Sequence, residues 1–255
     1  MSRSDPIRVN YFDALEKTER VADRLFYVAA ALSIISLFVD KSTPVLYDVV
    51  LTVFAITVLG LFGVGLAVRL YLTPRAEDGR RRDFFGSACG VNLSHQQTDG
   101  YYNNEFTDPI KRMAAQVFEN SHFSKAIARR MARTERIKFG VYAALWLACL
   151  IYRRMDIGIV VAASQAVFSE QVVSKLIRLE WLRTRFETTY ETMYNLFQSK
   201  PAKAQFSAIT LDTLSMYESA KSNAAVTLSS KLFGEMNDEL SKEWEQIKAV
   251  LKMQT

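Results

Sequence analysis

Side chains able to do chemistry crowd into one stretch of the chain, residues 80–106, RRRDFFGSACGVNLSHQQTDGYYNNEF. Arg80, Arg81 and Arg82 open it, Tyr101 and Tyr102 precede Asn103 and Asn104 near its end, and His95 lies between them. Guanidinium groups pair with phosphate, tyrosine rings stack on a planar base, and asparagine amides read a base edge. The set therefore suits an anionic, planar ligand such as a nucleotide. The structural alternative is an ordered loop whose Asn, Gln and Tyr side chains satisfy backbone groups.

The same stretch carries carboxylates at Asp83, Asp99 and Glu105, a set that a metal-dependent nuclease would need. Further signs of catalysis are missing. His95 and His122 are too isolated for a zinc signature, Ser94 beside His95 is adjacency rather than a nucleophile–base pair, and no phosphate-loop, dinucleotide or nucleophile-elbow motif occurs. Cys89 and Cys149 form neither a disulfide framework nor a metal motif. The expectation is a protein that is not an enzyme and that holds no cofactor and no metal.

The elements that must position these residues are set by the distribution of apolar side chains. Hydrophobic residues make up 49% of the 255, concentrated in two blocks, residues 25–68 and 139–169. Val49–Val68 contains no charge and is long enough, as a helix, to cross roughly 30 Å of hydrocarbon. Leu25–Val39 is shorter, and Pro44 marks the turn between the two. The second block, interrupted by Arg153, Arg154 and Asp156, reads as two further spans; re-entrant helices or a buried soluble hairpin are the alternatives. Arg69, Arg75 and Arg80–Arg82 follow the first block as cytoplasmic flanks do under the positive-inside rule. The formal charge of +5 is thus accounted for by membrane topology, and nucleic acid is not an expected partner.

With few Gly and Pro residues and no regular strand alternation, the chain is expected to be all-α: an integral membrane protein with two helical hairpins, about four spans, and a helical cytoplasmic portion. The expected organisation is an N-terminal helix and first hairpin (1–72), a basic cytoplasmic insert (73–138) with a compact, partly irregular element over 73–108, a second hairpin (139–169), and a helical region (170–255). A mixed-charge start without a cleavage site predicts that both termini stay in the cytoplasm of a multi-pass protein.

In the last region Val172, Leu176, Leu179, Phe186, Tyr190, Met193 and Phe197 follow a heptad-like spacing. Such a seam needs a partner, either within the chain or on a neighbouring copy in a homo-oligomer. Stepping it back to Ser169 and Gln165 puts polar side chains on the same face of an apolar arm, where they would line an oligomeric pore or hydrogen-bond within one subunit. Glu170 would stand at the pore mouth. A helix through Phe206, Leu211, Leu214 and Tyr217 and an amphipathic one from Leu228 to Leu251 complete the chain.

Two apolar hairpins around a basic insert, followed by a helical tail, resemble the small four-span membrane effectors of bacterial anti-phage systems over roughly residues 11–198. The resemblance lies in architecture and transfers no residue role. It implies an inner-membrane protein that permeabilises the bilayer on a cytoplasmic signal, with the lipid bilayer, further copies of itself and a nucleotide or protein activator as partners. The rival expectation is a membrane-anchored scaffold that recruits a soluble partner through its C-terminal helices.

Overall fold

Asp108 and Pro109 show how the chain starts a helix: Asp108 Oδ1 accepts the backbone N–H groups of Ile110 at 2.9 Å and Lys111 at 3.1 Å, and Pro109 takes the first helical position. The Lys111 and Ile110 bonds, aided by nearby Lys203, hold the Asp108 carboxyl below its ordinary pKa. The computed structural model describes residues 5–39, 42–95, 98, 102, 106–151 and 170–253, with the side chains of Leu37, Cys149, Glu170 and Gln171 outside that description. The regular elements among the described residues are all helices, without strands, in agreement with the all-α expectation. The helices are α1 (Asp13–Phe38), α2 (Pro44–Ala67), α3 (Thr73–Cys89), α4 (Pro109–Ile151), α5 (Lys175–Ser199), α6 (Lys203–Ala224) and α7 (Ser230–Leu251). Widened π turns at Arg8–Phe12, Val68–Leu72 and Glu170–Ser174 lead into α1, α3 and α5.

The chain forms two compact units, one from Met1–Asp13, Pro74–Ala132 and Arg178–Thr255, the other from Ala14–Thr73 and Arg133–Ile177. In the first, Phe118 of α4 is fully buried, stacked on Phe197 at 5.8 Å and met edge-on by Trp244 at 5.0 Å. Ala114 and Ala115 next to it are also fully buried, and their small side chains let neighbouring helices approach α4 closely. A second cluster joins Ala128 and Ala132 of α4 to Leu179, Leu182 and Phe186 of α5 and to Tyr217, Ala220 and Ala224 of α6. From Leu179 onward the heptad-like seam of α5 is therefore covered by the chain's own helices.

Helix α6 turns its seam away from one expected position. Leu211 is 48% exposed, while Thr210 and Thr213 are buried. Thr210 can be buried because its Oγ1 donates to the Phe206 carbonyl at 2.8 Å, leaving an apolar methyl toward the core. Helix α7 keeps the expected face, with Leu240, Trp244 and Leu251 inward, and begins at Ser229, whose Oγ accepts the Leu232 N–H at 3.3 Å.

In the second unit, α2 leaves large apolar side chains such as Ile56, Leu59 and Phe62 about two-thirds exposed. The run Pro44–Cys89 is the one helix among the described residues long and apolar enough to cross a membrane, and only 6% of its apolar window is buried. Buried core helices of soluble proteins have the opposite burial, so the composition and exposure together indicate membrane association. One such helix stands where the sequence predicts about four spans. The charge-free part of α1 is shorter than a full span, and residues 152–169 of the second block lie outside the described residues.

The partly irregular element expected over 73–108 opens with a regular helix, α3, over Thr73–Cys89. Three supposed breakers are absorbed. Pro74 follows a π turn in which the Thr73 N–H reaches back to the Val68 carbonyl, and the wider turn relieves the clash a proline ring makes with the preceding turn. Gly79 and Gly86 lie within the helix, and Gly86 serves close approach: a side-chain carbon there would stand 2.8 Å from the Val91 carbonyl oxygen.

Candidate functional site

The face of α3 formed by Arg75, Asp78, Gly79 and Arg82 follows the i, i+3, i+4, i+7 spacing of one helical stripe. It forms one wall of a cavity of about 920 Å³; Ile7 and Tyr11 of the N-terminal turn form the second wall, and Asn92–His95 the third. Each wall is fixed by contacts outside the cavity. Asp5 Oδ1 accepts the Arg8 N–H at 3.0 Å, and Asp5 Oδ2 accepts Arg80 Nη2 at 2.8 Å. The Arg80 guanidinium also lies 5.5 Å from the centre of the Phe12 ring, so one side chain pins the N-terminal turn to α3. Gly79 faces the same turn: a Cβ there would meet Tyr11 and Ile7 at 3.6 and 3.7 Å, ordinary packing distances.

The third wall is anchored by Asp83, which is 5% exposed. Its two oxygens accept the Thr98 backbone N–H at 3.0 Å and the Thr98 hydroxyl at 2.7 Å. Arg112 donates to the Phe106 and Ser87 carbonyls at 2.8 and 3.1 Å, and Gln116 Nε2 donates to Ser87 Oγ at 2.9 Å. Asp83 is thereby committed to holding the segment after α3. Asp99 and Glu105, its companions in the nuclease expectation, lie outside the described residues, and no group of three metal-ligating side chains occurs among the described ones.

The structure separates the sequence-predicted site residues. Consecutive positions on a helix point about 100° apart, so Arg80, Arg81 and Arg82 take different partners. Arg80 goes to Asp5; Arg81 and Arg82 both reach Asp78, Arg82 through Nε at 2.9 Å, and of the three only Arg82 lines the cavity. Tyr102 packs edge-on against Phe84 at 6.0 Å, on the margin of the core. Tyr101, Asn103, Asn104, Gln165 and Ser169 lie outside the described residues, and Glu170 is described only as the first residue of a π turn. Tyr11, Arg75 and Asp78 escaped the sequence reading. The α3 stripe was available as spacing once residues 73–89 are taken as helix, whereas nothing in the sequence places Tyr11, more than sixty residues upstream, against it.

Away from the cavity, burial acts on several titratable groups, among them His122, Lys125 and Lys221. His122 is 3% exposed, and Nε2 donates to the Leu240 carbonyl at 3.2 Å. Desolvation, with Lys125 nearby, pushes its pKa down to about 4, so it is neutral at physiological pH. Desolvation and then Arg129 lower Lys125 to about 8, although its ammonium rests on the face of the Tyr190 ring. Lys221 shows the reverse outcome. Desolvation pulls its pKa down, but the Glu77 carboxylate at 2.7 Å and Glu218 at 3.4 Å outweigh it and hold the ammonium charged. These groups tie helices together, whereas Arg75, Asp78 and Arg82 line the cavity.

Comparison with protein-family models, with curated proteins and with solved structures finds no match.

Proposed function

We propose that this protein is an oligomeric inner-membrane effector that permeabilises the bilayer when its helical cytoplasmic part receives a signal, in the setting of bacterial anti-phage defence. The observation that carries the reading is the apolar window of Pro44–Cys89, 6% buried, a surface that water would not tolerate and that lipid would cover. Apolar side chains elsewhere support further spans: Ile34, Ile35 and Phe38 of α1 and Val141, Leu145 and Ile151 of α4 are exposed. In this reading two membrane hairpins make about four spans, both termini are cytoplasmic, and Gln165, Ser169 and Glu170 line the path between copies. The basic cavity beside α3 supports a receiving role for the cytoplasmic part. Helices α6 and α7 turn Leu214, Tyr217, Leu240, Trp244 and Leu251 into the first unit's own core, so a scaffold that recruits a soluble partner through them is the weaker reading.

The experiment is dye and ion leakage from liposomes holding the purified protein, with Gln165→Leu alongside. Leakage that Gln165→Leu suppresses is the expected result. Liposomes that stay tight after addition of host lysate and candidate nucleotides refute the proposal.

A further inference from the structure

We propose that the cavity walled by Tyr11, Arg75 and Arg82 binds a phosphate-bearing small molecule with a planar aromatic group, of about the size of a nucleoside monophosphate. This deepens the reading of the cytoplasmic part as a receiver; the consequence of binding rests on that reading, while binding itself does not.

Size, charge and chemistry agree. At about 920 Å³ the cavity falls within the range of small-molecule sites, roughly 300–1,000 Å³. Among the described residues its lining carries two guanidinium groups and one carboxylate. Arg75 and Arg82 are seven positions apart on one stripe of α3, about 10 Å along the helix axis, so they meet two ends of a ligand rather than a single atom. Asp78 lies between them and takes Arg82 through Nε at 2.9 Å, which leaves further guanidinium N–H groups of Arg82 for a ligand. A guanidinium fork is a usual recognition element for phosphate.

Tyr11 supplies the aromatic face. The Arg75 guanidinium carbon lies 5.9 Å from its ring centre, so cation and ring border the same space. Asn92 and His95 on the third wall offer polar atoms to the edge of a bound ring. The walls are held in place without a ligand by Asp5 with Arg80 and by Asp83 with Thr98. Tyr11 itself sits in a π turn, a widened helical geometry frequent at functional sites. The phosphate could belong to a free nucleotide or to an anionic lipid headgroup, because α3 follows directly on an apolar helix.

The test uses the full-length protein in nanodiscs of zwitterionic lipid, titrated calorimetrically with adenosine monophosphate. Inorganic phosphate serves as competitor, and nanodiscs containing phosphatidylglycerol form a second arm. The variants are Arg75→Gln/Arg82→Gln and, as control, Lys231→Gln, an exposed lysine on α7. Saturable binding that weakens about tenfold or more in the double variant and is unchanged in the control is expected. Phosphatidylglycerol that suppresses nucleotide binding through the same two arginines supports the phosphate chemistry, with lipid as the occupant. Inorganic phosphate binding as tightly as the nucleotide overturns the aromatic part. Binding that is absent up to millimolar concentration in both arms, or indifferent to the double variant, overturns the whole. No leakage is read, so an inactive pore leaves the result intact.

Discussion

Acidification should destabilise this protein through one imidazole, His122, and the effect can be isolated. The ring sits between α4, α5 and α7, with Lys125 on its own helix, Tyr190 at 5.8 Å and Trp244 stacked at 6.2 Å. Glu243 Oε2 lies 3.5 Å from Nε2, which already donates to the Leu240 carbonyl. A proton can therefore be added only at Nδ1, which is buried without a hydrogen-bond partner among the described residues. Placing an N–H there would cost a buried, unsatisfied donor and a second cation beside Lys125. The folded pKa of about 4 lies below the ordinary 6.5, so between those values the unfolded chain binds a proton that the folded chain does not. Stability is complete above pH 6.5 and falls by about 1.4 kcal/mol per pH unit below it, about 3 kcal/mol in all by pH 4. His122→Gln keeps an N–H for the Leu240 carbonyl and has nothing to titrate. The assay is urea unfolding in mild detergent followed by tryptophan fluorescence, to which the neighbouring Trp244 contributes, at half-unit steps from pH 7 to pH 4. The difference in stability between variant and parent should move in the variant's favour by about 3 kcal/mol across that window. A difference that stays flat would refute the burial argument and assign the acid sensitivity to carboxylates.

Other perturbations test the packing that builds the cavity. Gly86→Ala drives a methyl to 2.8 Å from the Val91 carbonyl oxygen and should cost about 1–3 kcal/mol, with faster proteolysis of the segment after α3. Phe118→Ala empties the centre of the first unit and should cost about 3–5 kcal/mol in the same urea assay. Glu77→Gln leaves Lys221 with Glu218 alone. Because the Lys221 pKa is raised, its ion-pair stabilisation is complete below pH 10.5 and is lost only as pH climbs through the higher folded value. The loss, about 1–3 kcal/mol, should therefore be fully visible at pH 7 and shrink in strongly alkaline buffer.

Much of the fold was legible because helices announce themselves by local spacing. The Leu240, Trp244 and Leu251 face of α7 was read as it stands, and the charge-free run after Val49 was read as the helix that could enter a membrane. Elements were misread where a local cue had a non-local reason. Gly86 looks like a breaker until Val91 is placed against it, and Leu211 looks like a core residue until Thr210 satisfies its own hydroxyl and takes the inward place. The α5 seam offered two partners, and the buried faces of α4 and α6 provide one for Leu179, Leu182 and Phe186 within the chain.

By itself, then, the sequence determined that the chain is helical, that one stretch is suited to lipid, and that cations cluster just beyond it, since length, hydropathy and charge act through nearest neighbours. Only the tertiary structure decided which cations face a cavity. The three adjacent arginines point in different directions around one helix, Asp5 claims Arg80, and Tyr11 meets Arg75 across more than sixty residues of chain, walling with Arg82 the same cavity. Such pairings arise because packing brings together the surfaces of separate helices, and no periodicity along a single helix records what will lie opposite it.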